Sequence, residues 1–109
     1  LLDYRLNQMG IDPAAISGYH HEEFTHMDVA VAVLSESADT GLGIHAAAKA
    51  LGLDFIPVVT EQYDLIIPGE YFKSENIQLL LQTISSREFK HRVEGLGGYS
   101  TEKTGTIIM

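Results

Sequence analysis

A chain of 109 residues suits one small domain, and 45% hydrophobic residues make it globular rather than disordered. A net charge of −8 argues against contact with nucleic acid or an anionic membrane surface, since both carry the same sign. With no cysteine, disulfides, thiolate zinc sites and cysteine nucleophiles are excluded.

Leu1, Leu2, Leu6 and Met9 recur at near-helical spacing, and Gly10 supplies a stop. Asp12-Pro13-Ala14-Ala15-Ile16 predicts a capped helical turn with proline at its first position. Ser17 to Phe24 is polar, with room for a short strand through Tyr19. Thr25 and Asp28 stand at capping-box spacing, with Asp in place of Glu. The helix they open runs through Val29–Leu34, apolar on nearly every side, and is therefore expected to be heavily buried. A strand is predicted through Thr40–Ile44, then an alanine-rich helix from His45 to Leu51, ended by Gly52. Two further strands are expected at Phe55–Val59, where Pro57 marks an edge or bulge, and at Tyr63–Ile67, stopped by Pro68-Gly69. Ser74 or Glu75 opens a helix through Ile77, Leu80, Leu81 and Ile84. Ser86 caps another through Phe89, Val93 and Leu96, ended by Gly97-Gly98. Thr104–Met109 reads as a short apolar tail with strand character.

Strands alternating with helices predict a layered α/β fold. The strands are too few for a self-sufficient sheet covered on both faces, so residues 1–109 are expected to be a piece of a larger domain. The chain does not begin with Met and its first residues already look helical, an expectation of something removed upstream. No basic region precedes an apolar run as in a secretory leader, and the longest clean apolar run, Val29 to Leu34, is far short of a membrane span. A cytoplasmic location is expected.

His21-Glu22-Glu23-Phe24-Thr25-His26 approaches the zinc-protease pattern but is one residue too long. Five helical residues turn about 500°, which would leave the two rings about 140° apart. A solvated loop, with His26 on the first helical turn, is the expected state, and His20, His21 and His26 form no assigned metal site. Gly41-Leu42-Gly43 lacks the third glycine of a dinucleotide loop, and no Walker A pattern is present; these glycines are read as permitting close backbone approach. No nucleophile–base pair can be assigned, so a binding role rather than catalysis is expected. The feature with chemical content is the N-terminus of the Thr25 helix, whose free N–H groups and positive dipole end can hold an anion. A second helix starts near His45, after the glycine-containing stretch. The competing reading is that Thr25 and Asp28 satisfy those N–H groups themselves.

Five stretches in register resemble one family: Gly18-Tyr19 with Glu23-Phe24-Thr25-His26; Ala38-Asp39-Thr40-Gly41-Leu42-Gly43-Ile44; Ala50-Leu51-Gly52-Leu53-Asp54-Phe55-Ile56-Pro57; Glu61-Gln62-Tyr63-Asp64-Leu65; and Gly97-Gly98-Tyr99 followed by Thr104-Gly105. Together they resemble the C-terminal half of the periplasmic-binding-protein-like domain related to molybdate-binding proteins. In that family the domain is often fused to a molybdopterin molybdenumtransferase or a helix-turn-helix regulator. The resemblance implies part of a type II bilobed α/β fold: the second lobe, crossover strands at Phe55–Val59 and Tyr63–Ile67, and C-terminal helices. It implies a ligand site at Thr25, His26, Met27, Gly43, Ile44 and Tyr63. It implies no cofactor beyond a bound molybdate, tungstate or surrogate oxyanion, or a molybdenum-cofactor-related ligand. The alternatives it leaves open are an accessory domain of a molybdopterin biosynthesis enzyme and an effector or dimerisation module of a transcriptional regulator.

The family's anion loop, before the helix that here opens with Leu1, is not in this chain. Gln62 stands where Arg is common, and Glu36 where Gly often ends the helix. The implied partners are a missing N-terminal lobe or fused domain and a second copy of the chain. Self-association is expected through surfaces that include Ile66, Ile67, Leu80 or Phe89.

Overall fold

The computed structural model describes residues 1–108. They form two compact units, the first Leu1–Gly43 and the second beginning at Ile44. The first unit holds α1 (Leu2–Gln8), a 3-10 turn (Pro13–Ala15) and α2 (His26–Leu34). The second holds α3 (His45–Ala50), a 3-10 turn (Gly69–Tyr71), α4 (Glu75–Ile84) and α5 (Arg87–Leu96).

Each helix forms where its local signals stand. Thr25 Oγ1 accepts from the Asp28 N–H at 3.0 Å, Ser74 Oγ from Ile77 at 3.4 Å and Ser86 Oγ from Phe89 at 3.2 Å. Each hydroxyl thereby satisfies one of the four N–H groups a helix start leaves without a partner. Asp12 caps the Pro13 turn in the same way, through the Ala14 N–H at 3.0 Å.

Three helices close with the same bond, from an N–H to a carbonyl five residues earlier: Ile11 to Leu6, Ser37 to Ala32, and Leu53 to Ala48, at 3.0, 3.0 and 2.9 Å. This closure requires a left-handed residue just before the donor. Gly10 (φ +70°) and Gly52 (φ +68°) supply it for α1 and α3, where glycine has no Cβ to clash. For α2 the residue is Glu36, at φ +65°, and it is the one non-glycine residue with positive φ among the described residues. The α2 end, where Glu36 stands in place of the family's usual glycine, is therefore a regular closure made with a strained residue.

In the first unit the Tyr19 hydroxyl donates to the Asp3 carboxylate, tying the turn after Pro13–Ala15 to α1. Leu6 and Ala30 are buried. In the second unit α5 packs against both α3 and α4. Ala47 and Ala48 are buried there, Lys49 Nζ donates to the Gly95 carbonyl at 2.9 Å, and buried Thr101 donates to Glu94. The lysine bond meets the C-terminal end of α5, where a cation suits the helix dipole.

The expected α/β fold is corrected by the structure. Among the described residues there is no strand: Tyr19 lies in a turn, and the segments 40–44, 55–59 and 63–67 form no ladder. Lys103 and Thr106 make a turn instead of a strand, and Met109 lies outside the described residues. Among the described residues no part of a type II bilobed sheet, and no crossover strand, is present. The physical reason is visible in 54–67, where no backbone N–H or carbonyl bonds to another backbone group among the described residues. A helix closes its own hydrogen bonds, whereas a strand needs a neighbour to receive them. The heavy burial expected for α2 is also corrected. Only Ala30 is buried on it, and Met27, Val31 and Leu34 are exposed. An all-round apolar helix is buried only where other elements reach all its faces, and this unit supplies few.

Candidate functional site

The start of α2 gathers four of the six expected site residues. Thr25 is extended (φ −131°, ψ 159°) and directs its hydroxyl back onto the Asp28 N–H. His26 and Met27 occupy the first two helical positions, both exposed, and their backbone N–H groups engage no acceptor among the described residues. The chain returns beside them after Ser37. A Cβ placed on Gly41 would lie 2.5 Å from Val29 Cγ1, and one on Gly43 would lie 3.8 Å from that atom and 3.9 Å from His26 Nδ1. The close approach expected of these glycines is present at Gly41, against α2 rather than within a strand, whereas a Cβ on Gly43 would make only ordinary contact.

This arrangement offers two N–H groups without an acceptor among the described residues at the positive end of a nine-residue helix, with the His26 imidazole beside them. Such groups hold an anion. Thr25 satisfies the third N–H, while those of His26 and Met27 engage no acceptor among the described residues. Asp28, in the first turn, sets a negative charge against any anion bound there.

The other two expected site residues belong to the second unit. Ile44 is the N-terminal flank of α3 and makes no side-chain cap. Tyr63 is 77% exposed in the irregular stretch 53–68, beside a Gln62–Asp64 side-chain hydrogen bond of 3.1 Å. The histidine-rich stretch is not helical before His26. His21 pairs with Glu23 at 2.9 Å, and His20 meets Tyr19 edge-on at 5.5 Å between ring centroids. No group of three His, Asp or Glu residues that could hold a metal ion occurs among the described residues.

One cluster carried no signal in a periodicity reading. His45, at the start of α3, stacks on Phe55 with centroids 4.8 Å apart and planes at 15°. A Cβ on Gly98 would fall 2.5 Å from His45 Cβ, and one on Gly97 would fall 2.8 Å from Lys49 Cδ. The Gly97-Gly98 pair ends α5 as its sequence predicts, and it also makes room for the chain to lie against α3. The signal was the doubling itself, since one glycine is enough to end a helix.

Residues 1–85 match the PBP superfamily domain, the periplasmic-binding-protein-like family. The chain belongs to that family. A protein of Clostridium pasteurianum, described only as an uncharacterized protein in the 5′ region of a 2Fe-2S ferredoxin gene, is 38% identical over 109 residues, spanning 99% of this chain and 96% of that protein. The uncharacterized protein YvgK of Bacillus subtilis is 36% identical over 109 residues, spanning all of this chain but only 35% of YvgK. No solved structure matches the chain. Membership of a binding-type family gives the domain a ligand-binding character. Among the described residues no helix is long and apolar enough to cross a membrane.

Proposed function

We propose that this domain recognises a small oxyanion of the molybdate or tungstate type, or a molybdenum-cofactor-related compound presenting such a group. Thr25, His26, Met27 and Gly43 of the first unit would hold the ligand. The role is recognition, with no chemistry performed on the ligand. The observation that carries the reading is the pair of N–H groups of His26 and Met27 at the α2 start, which engage no acceptor among the described residues. Binding-type family membership supports it at the coarser level.

Two amides and one imidazole are fewer donors than four oxygens accept, and Asp28 opposes the charge. Binding through this site alone should be weak, with a dissociation constant of roughly 1 mM. The test is an amide NMR titration of the chain with sodium molybdate, with sodium chloride at matched ionic strength as reference. Saturable shifts centred on His26, Met27 and Gly43 are expected. Shifts reproduced by chloride, or absent from these three amides, would remove the proposal. Asp28→Asn should tighten binding severalfold by removing the opposing charge, an effect that weakens as salt screens it.

A further inference from the structure

Residues 54–67, which take no part in the proposed ligand site, are the longest run among the described residues whose backbone makes no hydrogen bond. Leu53 is bonded to Ala48 just before the run, and Pro68 accepts from Tyr71 just after it, both at 2.9 Å. Side chains near its end lie open as well: Tyr63 is 77% exposed, Leu65 61% and Ile66 95%. Proteolytic nicking concentrates where backbone is exposed and unpaired, because an endoprotease must draw several residues on each side of the bond into its cleft. A helix offers such a run only after it opens locally.

We propose that the chain carries a proteolytic modification site between Tyr63 and Ile66, for an endoprotease selective for aromatic or leucine residues, and that the cut chain stays folded as two joined pieces. The reaction is hydrolysis. One water is consumed, the Tyr63–Asp64 or Leu65–Ile66 peptide bond breaks, and a carboxylate and an amine take its place. The class of enzyme follows from the residues present. Residues 50–72 hold no Lys or Arg, so a protease that requires a basic residue finds none there. The first half of the run suits cleavage less, because Pro57 locks its backbone and presents no N–H.

Exposed residues of the same types elsewhere are held. Phe24 is fully exposed, but Thr25 beyond it caps α2, and His26 and Met27 are its first turn. Leu42 follows Gly41, which lies against Val29, and Leu79 and Leu80 are inside α4. The packing of the second unit keeps the pieces together. Helix α3 lies before the cut and α5 after it, and the two pack against each other. Ala47 and Ala48 are buried, Lys49 Nζ donates to the Gly95 carbonyl at 2.9 Å, and Gly98 lies against His45. Phe55, stacked on His45, stays with the α3 piece. A cut inside an unpaired run breaks no backbone hydrogen bond, so the fold loses only a tether.

Limited digestion of the unaltered chain with chymotrypsin, read by intact mass, should place the first cut at Tyr63–Asp64 or Leu65–Ile66. The products should travel together through size exclusion at the position of the uncut 12.0 kDa chain, keep the helical circular dichroism, and separate in denaturant. A first cut anywhere else, or pieces that part under native conditions, would overturn the proposal. Gln62→Lys tests the backbone without relying on chymotrypsin's choice of side chain. Trypsin should then cut after position 62 at least roughly tenfold faster than after Arg87 or Lys90, whose bonds become available only when α5 opens. Equal rates at these positions would show that the run is guarded in solution, and would overturn the proposal as well.

Discussion

The helix α4 and the stretch 53–68 carry comparable loads of large aliphatic residues, and the chain treats them differently. In α4, Ile77, Leu80, Leu81 and Ile84 share one face, Ser74 caps the start, and every bond the helix needs lies within ten residues. In 53–68, Phe55, Ile56, Val58, Val59, Leu65, Ile66 and Ile67 are equally apolar, but their backbone finds no backbone partner among the described residues. Apolar content alone does not order a segment. It does so where backbone polar groups are satisfied at the same time, and a helix achieves this locally while a strand does not.

The comparison breaks most visibly if the helical side is attacked where tertiary packing holds it. Ala47 is 5% exposed on α3, and Ala47→Asp would bury an unpaired carboxylate. The expected loss is about 3 kcal/mol or more, a large share of a small domain's stability, read as loss of a cooperative thermal transition by circular dichroism. Next is Gly98→Ala. At φ +80°, with a Cβ 2.5 Å from His45 Cβ, it combines left-handed strain with a clash, and about 2–3 kcal/mol should be lost. The companion His45→Gly, which removes that Cβ, should relieve the clash and recover part of that loss, and a denaturant-melt double-mutant cycle measures the coupling.

Smaller changes sharpen the same contrast. Ser86→Ala removes the α5 cap and should cost about 1 kcal/mol, with fraying at Arg87–Phe89 seen by amide exchange. Glu36→Gly should stabilise the first unit by about 0.5–1 kcal/mol, since glycine occupies the left-handed closure without strain. An unchanged or lowered melting midpoint would show that the Glu36 side chain contributes something its backbone conformation conceals. The smallest effect is expected at Ile66→Thr. At about 1 µM, where any association is weak, helix stability should move by less than about 0.5 kcal/mol, as for a surface substitution. A change above about 1 kcal/mol there would mean that 53–68 already belongs to the folded core and that the contrast with α4 is false.

The helices were largely legible because their signals are local. Asp12-Pro13, Thr25, Ser74 and Ser86 marked starts, Gly10, Gly52 and Gly97-Gly98 marked ends, and all of them act in the structure within five residues of where they stand. The strands were misread for the converse reason. Period and β-branching at Phe55–Val59 and Tyr63–Ile67 state a capacity for pairing, and nothing in the sequence supplies the neighbour. Part of the candidate site was legible in the same way: Thr25 as cap and Gly41 as a close-approach residue were readable, while the two free N–H groups of His26 and Met27 depended on where the returning chain lay.

By itself, then, the sequence determined where helices begin and end, the acidic surface, and the absence of thiol chemistry, since each follows from residue type and spacing over a turn or two. Tertiary structure decided what those elements are worth. It left Val31 and Leu34 of an apolar helix exposed and set Gly98 against His45. It also placed Gly43 beside His26 and left residues 54–67 without backbone partners. These outcomes depend on which distant segments come together, and contacts across tens of residues are fixed by packing and loop closure, to which local spacing is blind.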